Sequence, residues 1–244
     1  MSRAYVLVAF AVGILLMILF ISKWNIPPVT SILVATIILA ISIGTPWDKI
    51  EGIINKGMAD TLKSIAIVIV LGCILGKVLE ETGAAVSITK ATVKLFGEKR
   101  VLWAILLASA ILGIPIWADT VVILLIPIVS NLALQTNKSM MSYGTALYMV
   151  ALVTASLVPP TPGPVAAAAL LHLPLSDAIM WGVLISIPSV FAAGLYCLTL
   201  KEPVAPQDEY IKSAEASKDK PLPSVGTSLA PIILPLVLIF LNTG

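Results

Sequence analysis

Two apolar stretches, each long enough to cross a lipid bilayer, are broken in the middle by residues that a helix does not tolerate. The first, 101–134, is interrupted at GIPIWADT, residues 113–120, which sets Asp119 among apolar side chains. The second, 142–173, is interrupted at VPPTPGP, residues 158–164. Inside a bilayer no water pairs with freed backbone groups, so irregular backbone survives there only where protein buries it or where it lines a wet cavity. Broken helices of this kind mark the solute path of secondary transporters.

The rest of the chain sets these breaks in a membrane protein. Of 244 residues, 59% are hydrophobic and 11% charged, against about 25% charged in soluble domains. The class is therefore all-α and integral to the membrane. A net charge of +2, with no basic stripe interleaved with aromatics, gives no nucleic-acid partner. No metal-ligand spacing, nucleotide loop or nucleophile–base pair occurs, so neither an enzyme nor a cofactor is indicated. Cys73 and Cys197 both fall in apolar runs and read as buried thiols.

About 20 apolar residues cross a bilayer as a helix. Spans are predicted near 4–22, 27–43, 62–79 and 178–200, the last N-capped by Asp177. Arg3 alone precedes the first run, and Lys23, Trp24 and Asn25 follow it as interfacial anchors, so it reads as a retained span rather than a cleaved leader. Residues 45–60 carry Trp47, Ile50, Ile53 and Ile54 on one face, which predicts a short interfacial helix with Thr45 as N-cap. Residues 80–100 read as a polar, basic link, in which Lys77 and Glu80 pair at the preceding helix end. Residues 201–226 read as a cytoplasmic linker, and 227–244 as the start of a further, truncated span.

Charge orients the chain. If 101–134 enters and leaves on one side, as a re-entrant hairpin does, then Lys23, Lys90, Lys94, Lys99, Arg100, Lys138 and the linker lysines share a side. Arg3, Lys49, Lys56 and Lys63 fall on the other. A single crossing abolishes that asymmetry. Cytoplasmic loops are the basic ones, which favours the hairpin and an external N-terminus.

The breaks carry the chemistry. An aspartate at the centre of a span costs about 2.5–3.5 kcal/mol on insertion scales, so something must offset it. Two roles stay open for Asp119: a proton-coupling or substrate-contacting carboxylate, or a cap on the N–H groups of the helix that follows. In the second break Pro159, Pro160, Pro162 and Pro164 forbid a continuous helix, and Gly163 lets backbone approach closely. Pro164 is placed to start a new helix whose N-terminus attracts anions. A kink in a gating helix is the other reading. Thr120, Pro160, Thr161, Gly163 and Pro164 join Asp119 as the candidate substrate-binding set. His172 reads as a loop residue.

With these residues in view, the chain resembles the gluconate permease family of proton symporters, over about 27–200. GKVLEETGAA, residues 76–85, is similar to the family's GK-x-x-E-x-[ST]-G-[GA]-[GA] pattern, and FGEKR, 96–100, to its basic loop. GIPIWADTVVILLIPI and VPPTPGPVAAA resemble its Gly-Ile-Pro and double-proline segments. Many members have histidine where Thr161 stands, and phenylalanine with glutamate where Ala118 and Asp119 stand. The resemblance implies one half of an ion-transporter-superfamily fold, with a re-entrant hairpin and a broken helix, and covers the family's N-terminal half. It implies a multi-pass protein of the bacterial inner membrane that takes up gluconate or a related small organic anion (sugar acid, hydroxy acid or D-serine), driven by a proton gradient through Asp119. The alternative is a non-transporting remnant, or one half of a split transporter partnered by a second chain. A final expectation is that the two breaks meet and share a hydrophilic pocket.

Overall fold

The computed structural model describes residues 3–216 and 221–242. Among the described residues there are eleven α-helices: α1 Arg3–Ser22, α2 Pro28–Ser42, α3 Trp47–Glu81, α4 Ala84–Phe96, α5 Val101–Gly113, α6 Ala118–Thr136, α7 Met140–Leu157, α8 Pro162–Leu170, α9 Leu175–Thr199, α10 Asp208–Ala216 and α11 Val225–Asn242. A 3-10 turn, Glu98–Arg100, leads into α5. No strand occurs among the described residues. Among the described residues four helical stretches are long and apolar enough to cross a membrane: Ala4–Ser22, Ala118–Thr136, Met140–Leu170 taken across its break, and Leu175–Thr199. A fifth is added if Trp47–Lys63 and Ile65–Glu81 count as one. The chain is an all-α membrane protein.

The chain divides into two compact units, Met1–Lys63 and Ser64–Gly244. In the first, α1 and α2 pair antiparallel: the Tyr5 hydroxyl donates to the Ser42 carbonyl at 2.7 Å, and Gly13 packs on Leu39. Pro27 and Pro28 open α2, where a missing N–H costs nothing.

The second unit is built around α7, which packs against α5, α6 and α9. Lipid tails are as apolar as leucine, so close packing rather than water exclusion holds such helices together. The interface is accordingly made of small and branched residues: Ala104, Ala108, Ala146, Leu147, Val150 and Ala151 are all buried. Two approaches are closer than any side chain allows. A Cβ on Gly113 would lie 2.1 Å from Thr154 Oγ1, and one on Gly182 would lie 2.3 Å from the Leu157 carbonyl oxygen.

These contacts fix the register. Ser142 donates to the Cys197 carbonyl at 2.8 Å, so α9 runs antiparallel to α7. Trp103 and Leu106 lie against Gly194 and Gly113 against Thr154, so α5 runs parallel to α7. Thr136 and Tyr143 share a hydroxyl–hydroxyl bond of 3.1 Å, so α6 returns to the start of α7. Hence α5 and α6 form a hairpin whose two ends, with Lys99, Arg100 and Lys138, lie at one end of the bundle beside Lys201. Its tip lies at the end of α7.

Several elements differ from their sequence reading. Residues 45–60 and 62–79, read as an interfacial helix and a span, correspond to the two segments of α3, Trp47–Lys63 and Ile65–Glu81; the first starts at Trp47, so Thr45 lies outside it. Residues 80–100 contain α4, whose buried face (Ala84, Ala85, Ile88 and Thr92) packs on α5 and α11; the charges that suggested a link sit on its other side. Asp177 does not cap α9, which starts two residues earlier behind Pro174. The 201–226 stretch carries α10, and is pinned by Met140 N–H on the Val204 carbonyl at 2.9 Å and by Ser139, which donates to the Glu202 carbonyl. Cys197 is buried, but Cys73, on α3, is exposed. Lys77 does pair with Glu80, at 3.2 Å.

Candidate functional site

The first break, 114–117, joins α5 to α6. Gly113 is compatible with the hairpin because α7 passes where its side chain would be. Pro115 and Ile116 are buried, whereas Trp117 and Asp119 are exposed. Trp117 takes the N-cap position of α6 with extended backbone, and no side chain caps the helix. Asp119 therefore sits in the first turn without bonding its own helix end. Val121 N–H reaches the Trp117 carbonyl at 3.0 Å. The N–H groups of Ala118, Asp119 and Thr120 precede the first helical acceptor. They have no partner among the described residues. An exposed carboxylate thus stands beside three free donors at a positive helix end.

The second break, 158–161, joins α7 to α8, with the Pro159–Pro160 bond cis. The new helix starts at Pro162 rather than Pro164, since Thr161 already has the extended backbone of an N-cap. Thr161 is buried, and its hydroxyl lies 2.6 Å from the Ala155 carbonyl and 2.9 Å from that of Val158. Its single proton serves acceptors that the break leaves open in α7, so Thr161 positions the turn instead of offering a free donor to solute. Pro162 and Pro164 have no N–H, and Val165 N–H reaches the Thr161 carbonyl at 3.2 Å. Gly163 is exposed, and its N–H, in the first turn of α8, has no partner among the described residues. Pro160 is half-buried at the edge of the turn.

The breaks are neighbours. Gly113 lies on Ala151 and Thr154, one turn before Val158, and Gly182 of α9 lies on Leu157 and Val158. Ile114, Thr154 and Val158 line the same cavity. That cavity is apolar, not the hydrophilic pocket expected, because Thr154 and Ser186 both turn their hydroxyls back onto their own helices, at 2.9 and 2.7 Å. No hydrogen bond joins Asp119 or Thr120 to the second break among the described residues. Gly182 escaped the sequence reading; its one signal was a lone glycine amid the bulky residues of 180–187. His172 lies in the turn after α8, exposed and with φ +53°.

Comparison with known proteins places these elements. The model of the GntP family permeases matches residues 5–244. The chain is similar to the high-affinity gluconate transporter of Escherichia coli strain K12, 29% identical over 95% of this chain and 53% of that protein. It is similar to the gluconate permease of Zymomonas mobilis, 32% identical over all of this chain and 55% of that protein. An inner membrane permease of Escherichia coli is 30% identical over all of this chain and 56% of its own length. The chain thus spans about half the length of the curated relatives it matches. No solved structure matches it.

Proposed function

The chain belongs to the GntP permease family, a family of multi-pass transporters rather than enzymes, and from that premise we propose that it supplies the proton- and anion-handling half of a symporter. The substrate is gluconate or a related small organic anion, and the site is the bacterial inner membrane. One observation carries the reading: the Asp119 carboxylate is exposed at the N-terminus of α6, beside the unpaired N–H groups of Ala118, Asp119 and Thr120.

A helix N-terminus carries roughly +0.5 charge and binds anions. While Asp119 is ionised its charge beside that helix end repels a second carboxylate. With a proton on Asp119 that repulsion is gone, the N–H groups of Ala118, Asp119 and Thr120 can hold the incoming anion, and the Asp119 O–H can donate to it. Proton and anion then enter as a pair, which is the requirement for symport. The Gly163 N–H and the Thr120 hydroxyl are the further polar groups within the set, and suit a hydroxylated substrate.

Depth supports the same reading. With Lys99, Arg100, Lys138 and Lys201 at the cytoplasmic headgroups, α5 is 13 residues long and reaches only about 20 Å at 1.5 Å per residue, short of the roughly 30 Å core. The hairpin tip lies at about that depth, and the α7 break, at the end of an 18-residue helix, lies at about 27 Å, so both fall within the core.

The test is Asp119→Asn in proteoliposomes. Asparagine resembles the protonated acid, so gluconate exchange should persist while accumulation driven by a proton gradient falls to background. Full proton-driven accumulation by the variant sinks the proposal. Because the relatives are about twice as long, the assay is run with this chain alone and with the remaining half of a relative co-expressed. Uptake only in the second case selects the alternative of a half that works with a second chain; none in either selects a non-transporting remnant.

A further inference from the structure

An apolar groove of about 340 Å³ runs between α5, the end of α7 and α9, and nothing in the transport reaction uses it. It starts at Phe96 and Trp103, beside the basic end of the bundle, and ends at Ile114 and Val158, where the breaks meet. That is about 16 Å along α5 at 1.5 Å per residue. Its outer wall, Val183, Ile187 and Phe191, is exposed. Its two hydroxyls are already paired within their helices. A polyhydroxylated anion would find no partner there, whereas an alkyl chain would leave no polar group unpaired.

The mouth has the opposite character. Lys94, Lys99 and Arg100 flank Phe96 and Trp103 in the chain, are all exposed, and form no salt bridge among the described residues. Trp103 and Phe191 pack with their rings tilted and centroids 5.4 Å apart, and both line the slot. An apolar slot opening beneath a cluster of cations suits a molecule with one alkyl end and one anionic end. We propose that the groove holds one acyl chain of an acidic phospholipid, with its phosphate at Lys99 and Arg100. The end of that chain abuts Ile114, Thr154 and Val158, so the lipid packs the junction on which both breaks rest, and transport becomes dependent on acidic lipid.

Trp103 reports occupancy directly. In a variant retaining only this tryptophan, reconstituted in phosphatidylcholine, chain-brominated phosphatidylglycerol should half-quench the fluorescence at a mole fraction at least fivefold lower than brominated phosphatidylcholine. Lys99→Gln and Arg100→Gln, surface changes that leave the packing intact, should each reduce that preference about fivefold, the effect of one cation near an anionic surface. Equal quenching by the two lipids overturns the proposal, as does a preference that survives the double variant. Absence of quenching by either lipid also overturns it, and shows that protein covers the groove.

Discussion

Gly182→Ala should loosen the end of α7, and the structure sets how much. The new Cβ would lie 2.3 Å from the Leu157 carbonyl oxygen, 3.1 Å from its carbon and 3.2 Å from Val158 Cα. The first contact is roughly 1 Å short of ordinary van der Waals separation. All three atoms are backbone, so no rotamer change relieves them and α9 must move off α7. Overpacking costs about 1–3 kcal/mol, and a contact this short with backbone falls in the upper part of that range, about 2–3 kcal/mol. Better helix propensity returns at most about 1 kcal/mol, leaving a net loss of about 1–2 kcal/mol. Gly113→Ala offers the internal control. There the nearest atom, at 2.1 Å, is the side-chain Thr154 Oγ1. Thr154→Ala in the same chain should therefore recover most of the Gly113→Ala loss, and none of the Gly182→Ala loss. Stability is read by reversible unfolding in mixed micelles as a double-mutant cycle. Gly182→Ala within 0.5 kcal/mol of the parent (about the scatter of neutral surface changes), or rescued by Thr154→Ala, would refute the argument that backbone contact holds this junction.

Two further outcomes follow from the opposite end of the bundle. Single cysteines replacing Lys99, Lys138 and Lys201 should all escape a membrane-impermeant maleimide added to intact cells and all react in inverted vesicles; divided accessibility would contradict the hairpin. Ser139→Ala removes an N-cap, the 3.1 Å bond from Met141 N–H, and with it the Glu202 and Val204 contacts. A loss of about 1 kcal/mol and faster amide exchange over 201–207 are expected, and unchanged exchange would show that the Met140–Val204 bond suffices alone.

How much of this was legible follows from which interactions are local. Pro115 beside Gly113, and the cluster Pro159 to Pro164, announced both breaks, because the missing N–H acts on its own turn; single prolines such as Pro127 and Pro188 stay inside α6 and α9. The charge asymmetry likewise pointed to a hairpin, since Lys99, Arg100 and Lys138 lie next to the ends they mark. Capping was read less well: Asp177 and Thr45 have the right side chains, but their helices start at Leu175 and Trp47. The role of Gly182 was invisible because it depends on the Leu157 carbonyl, which comes from another helix. The polarity of the shared cavity was misjudged for a related reason: Thr154 and Ser186 count as polar in a sequence, yet each spends its proton on the preceding turn.

The two helix ends are unequal, and that inequality can be tested. The first turn of α6 has three free N–H groups, whereas that of α8 has the Gly163 N–H alone, because Pro162 and Pro164 have none. If the anion is shared between the two ends, Pro164→Ala should strengthen it. The substitution adds a donor at a position whose N–H has no helical partner, so no existing bond is disturbed. One hydrogen bond to a carboxylate contributes about 1.5–3 kcal/mol, so apparent gluconate affinity should rise about tenfold or more, with the proton dependence unchanged. If the anion is held at α6 alone, affinity stays where it was and only Asp119 substitutions move it. Equilibrium binding of labelled gluconate to detergent-solubilised transporter separates the cases. A fall in affinity would count against both, since it would mean that the rigidity of the proline turn, not its donors, is what the site requires.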